Sequence, residues 1–246
     1  MILALLSDIH ANLEALDACL AHASRHGALR FAFLGDLVGY GADAAPVVER
    51  VMEHVSRGAI AVRGNHDDAI ARSPRYMNEA ALQAIERARD SLTAPQKAFL
   101  AGLPLSLREG AMCFVHASAA APERWEYVDA ESAALRSIGA AGTTYTFSGH
   151  VHEQWLFTDL GERRAAKHKP APGTSIPLGR HRRWLALVGS VGQPRDGLPS
   201  AAYALFDTEV PALAFHRVAY DHLAAARKIR AAGLPEALAY RVERGV

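Results

Sequence analysis

At 246 residues, half of them hydrophobic, the chain is long enough to bury a real core, as one large domain or two small ones. Its 27 basic and 26 acidic residues leave a formal net charge of +1, which argues against a global nucleic-acid binder or a membrane-surface protein. Cys19 and Cys113 lie in apolar surroundings and read as buried small hydrophobes, and with no leader signature and no membrane-length apolar run a soluble cytoplasmic protein is expected.

In chain order, "ILALLSD" reads as a buried strand. A helix follows in "NLEALDACLAHASRHG", with Leu13, Leu16, Cys19 and Leu20 on one face and Gly27 as its stop. "RFAFLGD" is a second strand, "DAAPVVERVMEHVSRG" a second helix with Pro46 in its first turn, and "AIAVRGNHD" a third strand. This βαβαβ order predicts a parallel sheet covered on both faces. A helical stretch comes next: "NEAALQAIERARDSL" with Asn78 as cap, then "TAPQKAFLAGLP" with Thr93 and Gln96 at capping-box spacing.

Seven further strands follow, "LSLRE", "AMCFVHA", "TYTFSGH", "QWLFTDL", "RWLALVGS", "AAYALFD" and "ALAFHRVAY". Several are separated by only a turn, so a second sheet with antiparallel pairs is expected. The tail reads as helix, a break at Gly233, Leu234 and Pro235, then helix. The basic, Pro- and Gly-rich segment near 161–183 reads as a long exposed hairpin loop with solvated charges, or as a lid or a rim that steers anions. The chain is expected to form one domain over 1–246, with a helical insertion near 74–103 and this loop.

The chemistry lies where the apolar runs stop. Asp8 and His10 follow the first strand and Asp36 the second. Asn65, His66 and Asp67 follow the third, His116 ends "AMCFV", and His150 and His152 end "TYTFS". Each alone is ordinary, a turn, a cap or a core histidine. Together they form an ordered set of metal-ligand types at strand C-terminal ends, where open α/β sheets place their ligand crevice. Imidazoles with carboxylates and no nearby thiolate fit Mn, Fe, Zn, Co or Ni rather than Ca or a structural zinc knot. The ligands are too many for one ion. They divide between two, and a metal pair about 3.5–4 Å apart can share a carboxylate and clamp both ends of a displacement at phosphorus.

The motifs "SDIHAN", "GDLVGYG", "GNHD", "VHAS" and "GHVH", in this order, resemble those of the calcineurin-like metallophosphoesterases. "VGSVGQPRDG", "AAYALFD" and "GLPEAL" resemble a branch of small stand-alone bacterial and archaeal phosphoesterases. The resemblance implies an α/β fold, a four-layer α/β/β/α sandwich of two mixed sheets with the metal site at strand C-terminal ends. It implies two divalent transition metal ions, manganese favoured. Asp8, His10 and His152 would hold the first, Asp36 would bridge, and Asn65, His116 and His150 would hold the second. His66 would be the leaving-group acid, Asp67 a candidate to orient it, and the Gly189 to Gln193 loop would lie near the site. Asn65 would also face substrate. Arg195 either contacts phosphate or serves as a structural salt-bridge partner. Tyr40 either stacks on a substrate base or packs.

The sequence departs from the family pattern in four places. Ala11 and Ala117 stand where the first and fourth motifs usually carry glycine. Gly39 and Tyr40 stand where protein Ser/Thr phosphatases carry an Asp that orients the acid and an Arg that grips phosphate, which argues against a protein phosphatase. The implied activity is hydrolysis of a small phosphate ester by a metal-bridging hydroxide, with a phosphodiester or nucleotide favoured. Alternatives are a dinucleoside polyphosphate hydrolase, a phosphomonoesterase, and a non-catalytic metal-binding scaffold. A membrane partner is not expected, the near-neutral charge argues against nucleic acid, and a homo-oligomer remains open.

Overall fold

In the computed structural model, which describes residues 1–72 and 77–246, the opening strand β1 (Ile2–Leu6) is buried from Leu3 onward. Its side chains alternate between two cores, as the period of two in a strand requires. Leu3 and Leu5 point into a core between two sheets, while Ala4 and Leu6 point outward toward helices. That division organises the molecule.

After β1 come α1 (Leu13–Arg25), β2 (Ala28–Phe33), α2 (Ala44–Ser56), β3 (Ile60–Ala61) and α3 (Asn65–Ala71). Two further helices follow, α4 (Glu79–Ser91) and α5 (Ala94–Gly102). Then come β4 (Ser106–Glu109), β5 (Met112–Val115), α6 (Glu131–Ala141) and β6 (Tyr145–Ser148). The remaining strands are β7 (Gln154–Gly161), β8 (Arg164–His168), β9 (Ser175–Pro177), β10 (Trp184–Val188), β11 (Ala201–Asp207) and β12 (Ala212–Val218). The chain closes with α7 (His222–Ala231) and α8 (Glu236–Arg244).

Both sheets are mixed. The first has the order β3-β2-β1-β11-β12-β9, with β1, β2 and β3 parallel and β11, β12 and β9 added antiparallel. The second has the order β4-β5-β6-β10-β7-β8, with a parallel centre of β5, β6 and β10. Leu3, Leu5, Leu34 and Phe206 of the first sheet meet Phe114, Phe147, Leu156 and Val188 of the second. The outer face of the first sheet packs on α1 and α2 through Leu16, Cys19, Val47 and Val51. The outer face of the second packs on α6, where Ala133, Ala134 and Ile138 meet Phe157, Leu185 and Leu187. The layers are therefore α/β/β/α.

The caps read from sequence form as expected. Asn78 Oδ1 accepts from Ala81 N at 3.0 Å. Thr93 and Gln96 exchange reciprocal bonds of 3.0 and 3.4 Å, satisfying two amides that a helix start leaves unpaired. The first residues of the expected helical insertion, 74–76, lie outside the described residues. Three features differ from the sequence reading. No helix was expected between "AMCFVHA" and "TYTFSGH", yet α6 lies there and supplies the fourth layer. The third strand is only two residues long, so Asn65, His66 and Asp67 open α3 instead of ending a strand.

The third difference is the basic segment, which is not an irregular loop. It contributes β8 to the edge of one sheet and β9 to the edge of the other, with Leu178 buried between them. Several of its charges are already partnered. Lys167 and Lys169 place their ammonium groups 4.1 and 4.5 Å from the Trp155 ring, and Lys169 also meets Glu153 at 3.2 Å.

Candidate metal centre

The strand ends converge across the gap between the sheets. Asp8 stands two residues past β1, Asp36 three past β2, His116 directly after β5, and His150 two past β6. The chain must turn sharply at each end to aim a side chain back into the gap. Asp8, His10, Asp36, His150 and His152 accordingly have left-handed backbones, φ between 48 and 67°. Such conformations are sparsely populated by non-glycine residues and persist only where surrounding contacts enforce them. Here those contacts are visible. Asp8 N donates to Gly35 O, His10 N to Asp36 O and Gly149 N to His116 O. Gly149 permits a very close approach, since a Cβ there would lie 1.9 Å from Ser7 Oγ and 2.4 Å from Asp8 Oδ2.

Each carboxylate uses one oxygen to hold another motif and turns the other inward. Asp8 Oδ2 accepts from His150 N at 2.8 Å, and Asp36 Oδ1 accepts from His66 N at 2.8 Å. Asp8 Oδ1 is left buried with no hydrogen-bond partner among the described residues. The imidazoles follow the same logic. His10 Nδ1 faces Val38 O at 3.1 Å, His116 Nδ1 faces Leu34 O at 2.8 Å and His152 Nδ1 faces Gln193 O at 2.6 Å. A ring that donates Nδ1–H to a carbonyl keeps its Nε2 lone pair free, the arrangement metal-binding histidines use.

The inward atoms form two groups. In one, His152 Nε2 lies 3.2 Å from Asp8 Oδ1 and 3.1 Å from His10 Nε2, and His10 Nε2 lies 3.7 Å from Asp36 Oδ2. In the other, His116 Nε2 lies 3.4 Å from Asp36 Oδ2 and 3.1 Å from both Asn65 Oδ1 and His150 Nδ1. With metal–ligand bonds of about 2.0–2.2 Å, donors on a single transition-metal ion lie about 3–3.6 Å apart. The donor spacing, the orphaned Asp8 oxygen and the oriented imidazoles fit divalent transition metals. Asp36 Oδ2 belongs to both groups.

The electrostatics point the same way. Burial alone would raise the carboxyls of Asp8 and Asp36, but His152 and His116 outweigh it and hold both well below the ordinary carboxylate range. Burial lowers His10 and takes His150 down to about 3, which keeps these rings neutral. At His116 burial is overcome by Asp36 and Asp8, which raise it to about 9. The carboxylates thus draw positive charge toward the point where the two groups meet.

The other residues singled out from sequence sit around this centre. His66 packs edge-on to His10 at 4.8 Å, with Nε2 3.9 Å from Asp36 Oδ2 and Nδ1 buried and unpaired among the described residues. Burial takes it down to about 4. Asp67 does not orient it. Its carboxylate is already taken by backbone amides, accepting from Leu37 N, Val38 N and Gly64 N at 2.9, 3.3 and 2.9 Å, because adjacent helical residues point to different faces. Tyr40 packs on His10 and His66, 4.5 Å from each, and against the α7–α8 core. Arg195 donates twice to Gln193 Oε1, at 2.9 and 3.3 Å, and its guanidinium lies 5.7 Å from the Tyr40 ring centroid. Ala11 takes the left-handed turn without glycine, and its amide still bonds Leu37 O.

The sequence reading overlooked two aromatics. Trp125 lies 6.1 Å from His116, and Tyr127 stacks on His150 at 4.2 Å. Their signal was the aromatic pair in "ERWEYVD", which carries no strand or helix period.

Residues 1–210 match the calcineurin-like phosphoesterase superfamily domain, and the chain belongs to that superfamily of hydrolases. Along its whole length it is similar to a metallophosphoesterase from Sphaerobacter thermophilus, with 35% identity and a TM-score of 0.90, covering 100% of this chain and 99% of that one. An uncharacterized protein of Methanocaldococcus jannaschii, MJ0912, is 33% identical over 98% of this chain and 96% of its own. The hypothetical protein PH1004 of Pyrococcus horikoshii OT3, at 18% identity and a TM-score of 0.80 over 100% of this chain and 98% of its own, shares the fold.

Proposed function

We propose that the protein hydrolyses phosphate esters, a phosphodiester or nucleotide-like substrate favoured, with two divalent transition metal ions and manganese the first to test. The supporting observation is a chain of overlapping buried donor groups in which Asp36 Oδ2 lies near both His10 Nε2 and His116 Nε2. Asp8, His10 and His152 with Asp36 would hold one ion, and Asp36, Asn65, His116 and His150 the other. Bound there, such ions polarise phosphoryl oxygens and activate water as a nucleophile.

The chain's own residues do the rest. Val38 O, Leu34 O and Gln193 O fix the three Nε2 donors. Asp67 pins the Leu37–Val38 backbone, and with it the carbonyl that orients His10. Arg195 and Tyr40 line the approach, and Arg195 offers a planar cation to the phosphate. Asn65 turns its amide toward substrate as well as metal. His66 delivers a proton to the departing oxygen. Its ring is neutral in the free site, and an arriving phosphate anion raises its proton affinity, so that it takes up from solvent the proton it hands to the leaving group.

Elemental analysis after manganese reconstitution, with a screen of phosphomonoesters, diesters and dinucleotides, tests the reading. Wild type should carry two metals per chain and hydrolyse at least one ester class. Asp36→Asn should lose more than one metal's worth of occupancy, because one carboxylate serves both groups. One metal or none in wild type, or no hydrolysis of any ester, overturns the proposal.

A further inference from the structure

Tyr127 is a large aromatic side chain left 52% exposed beside a buried cluster of ligand residues. Its ring lies nearly parallel to that of His150, with centroids 4.2 Å apart and planes at 25°. Slack chain does not explain the exposure. Trp125, two residues earlier, is 9% exposed, and Val128, the next residue, is 1% exposed. Trp125 sits edge-on to His116 and Val128 packs into the α6 core. The loop is anchored on both sides of Tyr127, and the ring is held at the edge of the site with about half its surface in water.

A ring needed only to support His150 gains from full burial, and a residue needed only for solubility gains from being polar. Tyr127 does neither. At the other end of the centre, Tyr40 stands against His10 and His66 with Arg195 over it. The cation and the half-buried ring therefore flank the Asp8–His10–His152 group. The exposed ring flanks the Asp36–His116–His150 group.

We propose that Tyr127 is a specificity-determining residue, a stacking platform for a planar aromatic group carried by the substrate, such as a nucleobase or an aryl ring joined to the phosphate. The assignment rests on the phosphoesterase reading above and narrows its substrate class. Aromatic stacking is tolerant of base identity because every base presents a π-face, so the platform selects for a base and not for a particular one.

The test compares two probes that share a phosphate and a ribose and differ only in the base. AMP and ribose 5-phosphate are titrated calorimetrically into full-length, manganese-loaded protein, with inorganic phosphate as reference. Stacking of one base is worth roughly a ten- to hundredfold difference in affinity, so wild type should prefer AMP by that factor. Tyr127→Phe should keep the preference, and Tyr127→Ala should abolish it while binding ribose 5-phosphate and metal as wild type does. Equal affinity for the two probes in wild type, or a preference that survives in Tyr127→Ala, overturns the platform. Loss of metal in Tyr127→Ala also overturns it and assigns the ring to holding His150. Failure of the phosphoesterase reading looks different, because then neither probe nor inorganic phosphate binds and no ester is hydrolysed.

Discussion

Gly39 is the point where the backbone comes up against the His66 ring. Its φ is +91°, and a Cβ built on it would lie 2.2 Å from His66 Nδ1. The ring that faces the metal groups therefore rests directly on a glycine, with no carboxylate behind it. The protein-phosphatase pattern, with an Asp at this place, cannot be accommodated unless His66 moves. Gly39→Ala should displace the His66 ring and leave the seven candidate ligand residues in place. If His66 supplies the proton, that displacement removes general-acid help, typically worth about 10²–10⁴-fold in rate. The variant should lose activity on unactivated esters to a similar extent as His66→Asn and keep both metals. Residues that act as a unit are not additive, so the double variant should be no worse than the worse single one. Full additivity of the two losses sinks the idea and places the effect of Gly39 in the loop backbone.

At the scale of elements, what was legible in the sequence tracks how strongly each element signals itself. α1, α4 and α5 combine a periodic apolar face with a polar cap, and all three stand where the sequence places them. The convergence of the candidate ligand positions was legible because each follows an apolar run, although the left-handed turns that aim them leave no pattern. α6 was missed because its buried face is Ala133, Ala134, Ser137, Ile138 and Ala141, too small and too polar to stand out as a stripe. β8 and β9 were missed because edge strands are short and polar on one side. This changes the expectation for the basic segment. Removing Lys167 to Gly179 as an idle loop would take away β9, its pairing to β12, and Leu178, whose carbonyl accepts from Tyr145 Oη at 3.2 Å. Leu178→Ala alone should cost about 2–5 kcal/mol, as expected for a buried Leu truncated to Ala. Chemical denaturation of Leu178→Ala beside Lys169→Ser decides the matter. A lysine variant as destabilised as the leucine variant means the segment is held by its charges and not by its core contact.

Across the whole molecule, the two ends of the sandwich carry different loads. The strained turns and candidate ligands collect at one end, where Asn12 caps the start of α1. α1 then runs for 13 residues, about 20 Å at 1.5 Å per residue, and ends beside a second group of histidines. There His22 and His26 stack at 4.1 Å, and both lie within 5.3 Å of His216 on β12. Tyr203 on β11 stacks on His216 at 5.4 Å, and its hydroxyl lies 2.6 Å from His22 Nδ1. Arg25 is the neighbouring cation. His216 Nε2 is buried with no partner among the described residues, and burial followed by the charges of His22 and His26 takes the ring down to about 4. The unfolded chain binds that proton near pH 6.5. The folded state resists protonation, so this group's contribution is fully present above about pH 6.5 and is lost as pH falls toward about 4. Allowing for solvent screening at a half-buried ring, the loss is about 1–2 kcal/mol. Urea unfolding of chelator-treated protein at pH 7 and pH 4.5 isolates it from metal release. Wild type should lose stability over that interval, and His216→Gln, which does not titrate, should lose less by about the same 1–2 kcal/mol. Parallel losses in the two proteins mean that the acid sensitivity arises at the buried imidazoles His10, His66 and His150 at the other end and that the distant histidines are inert.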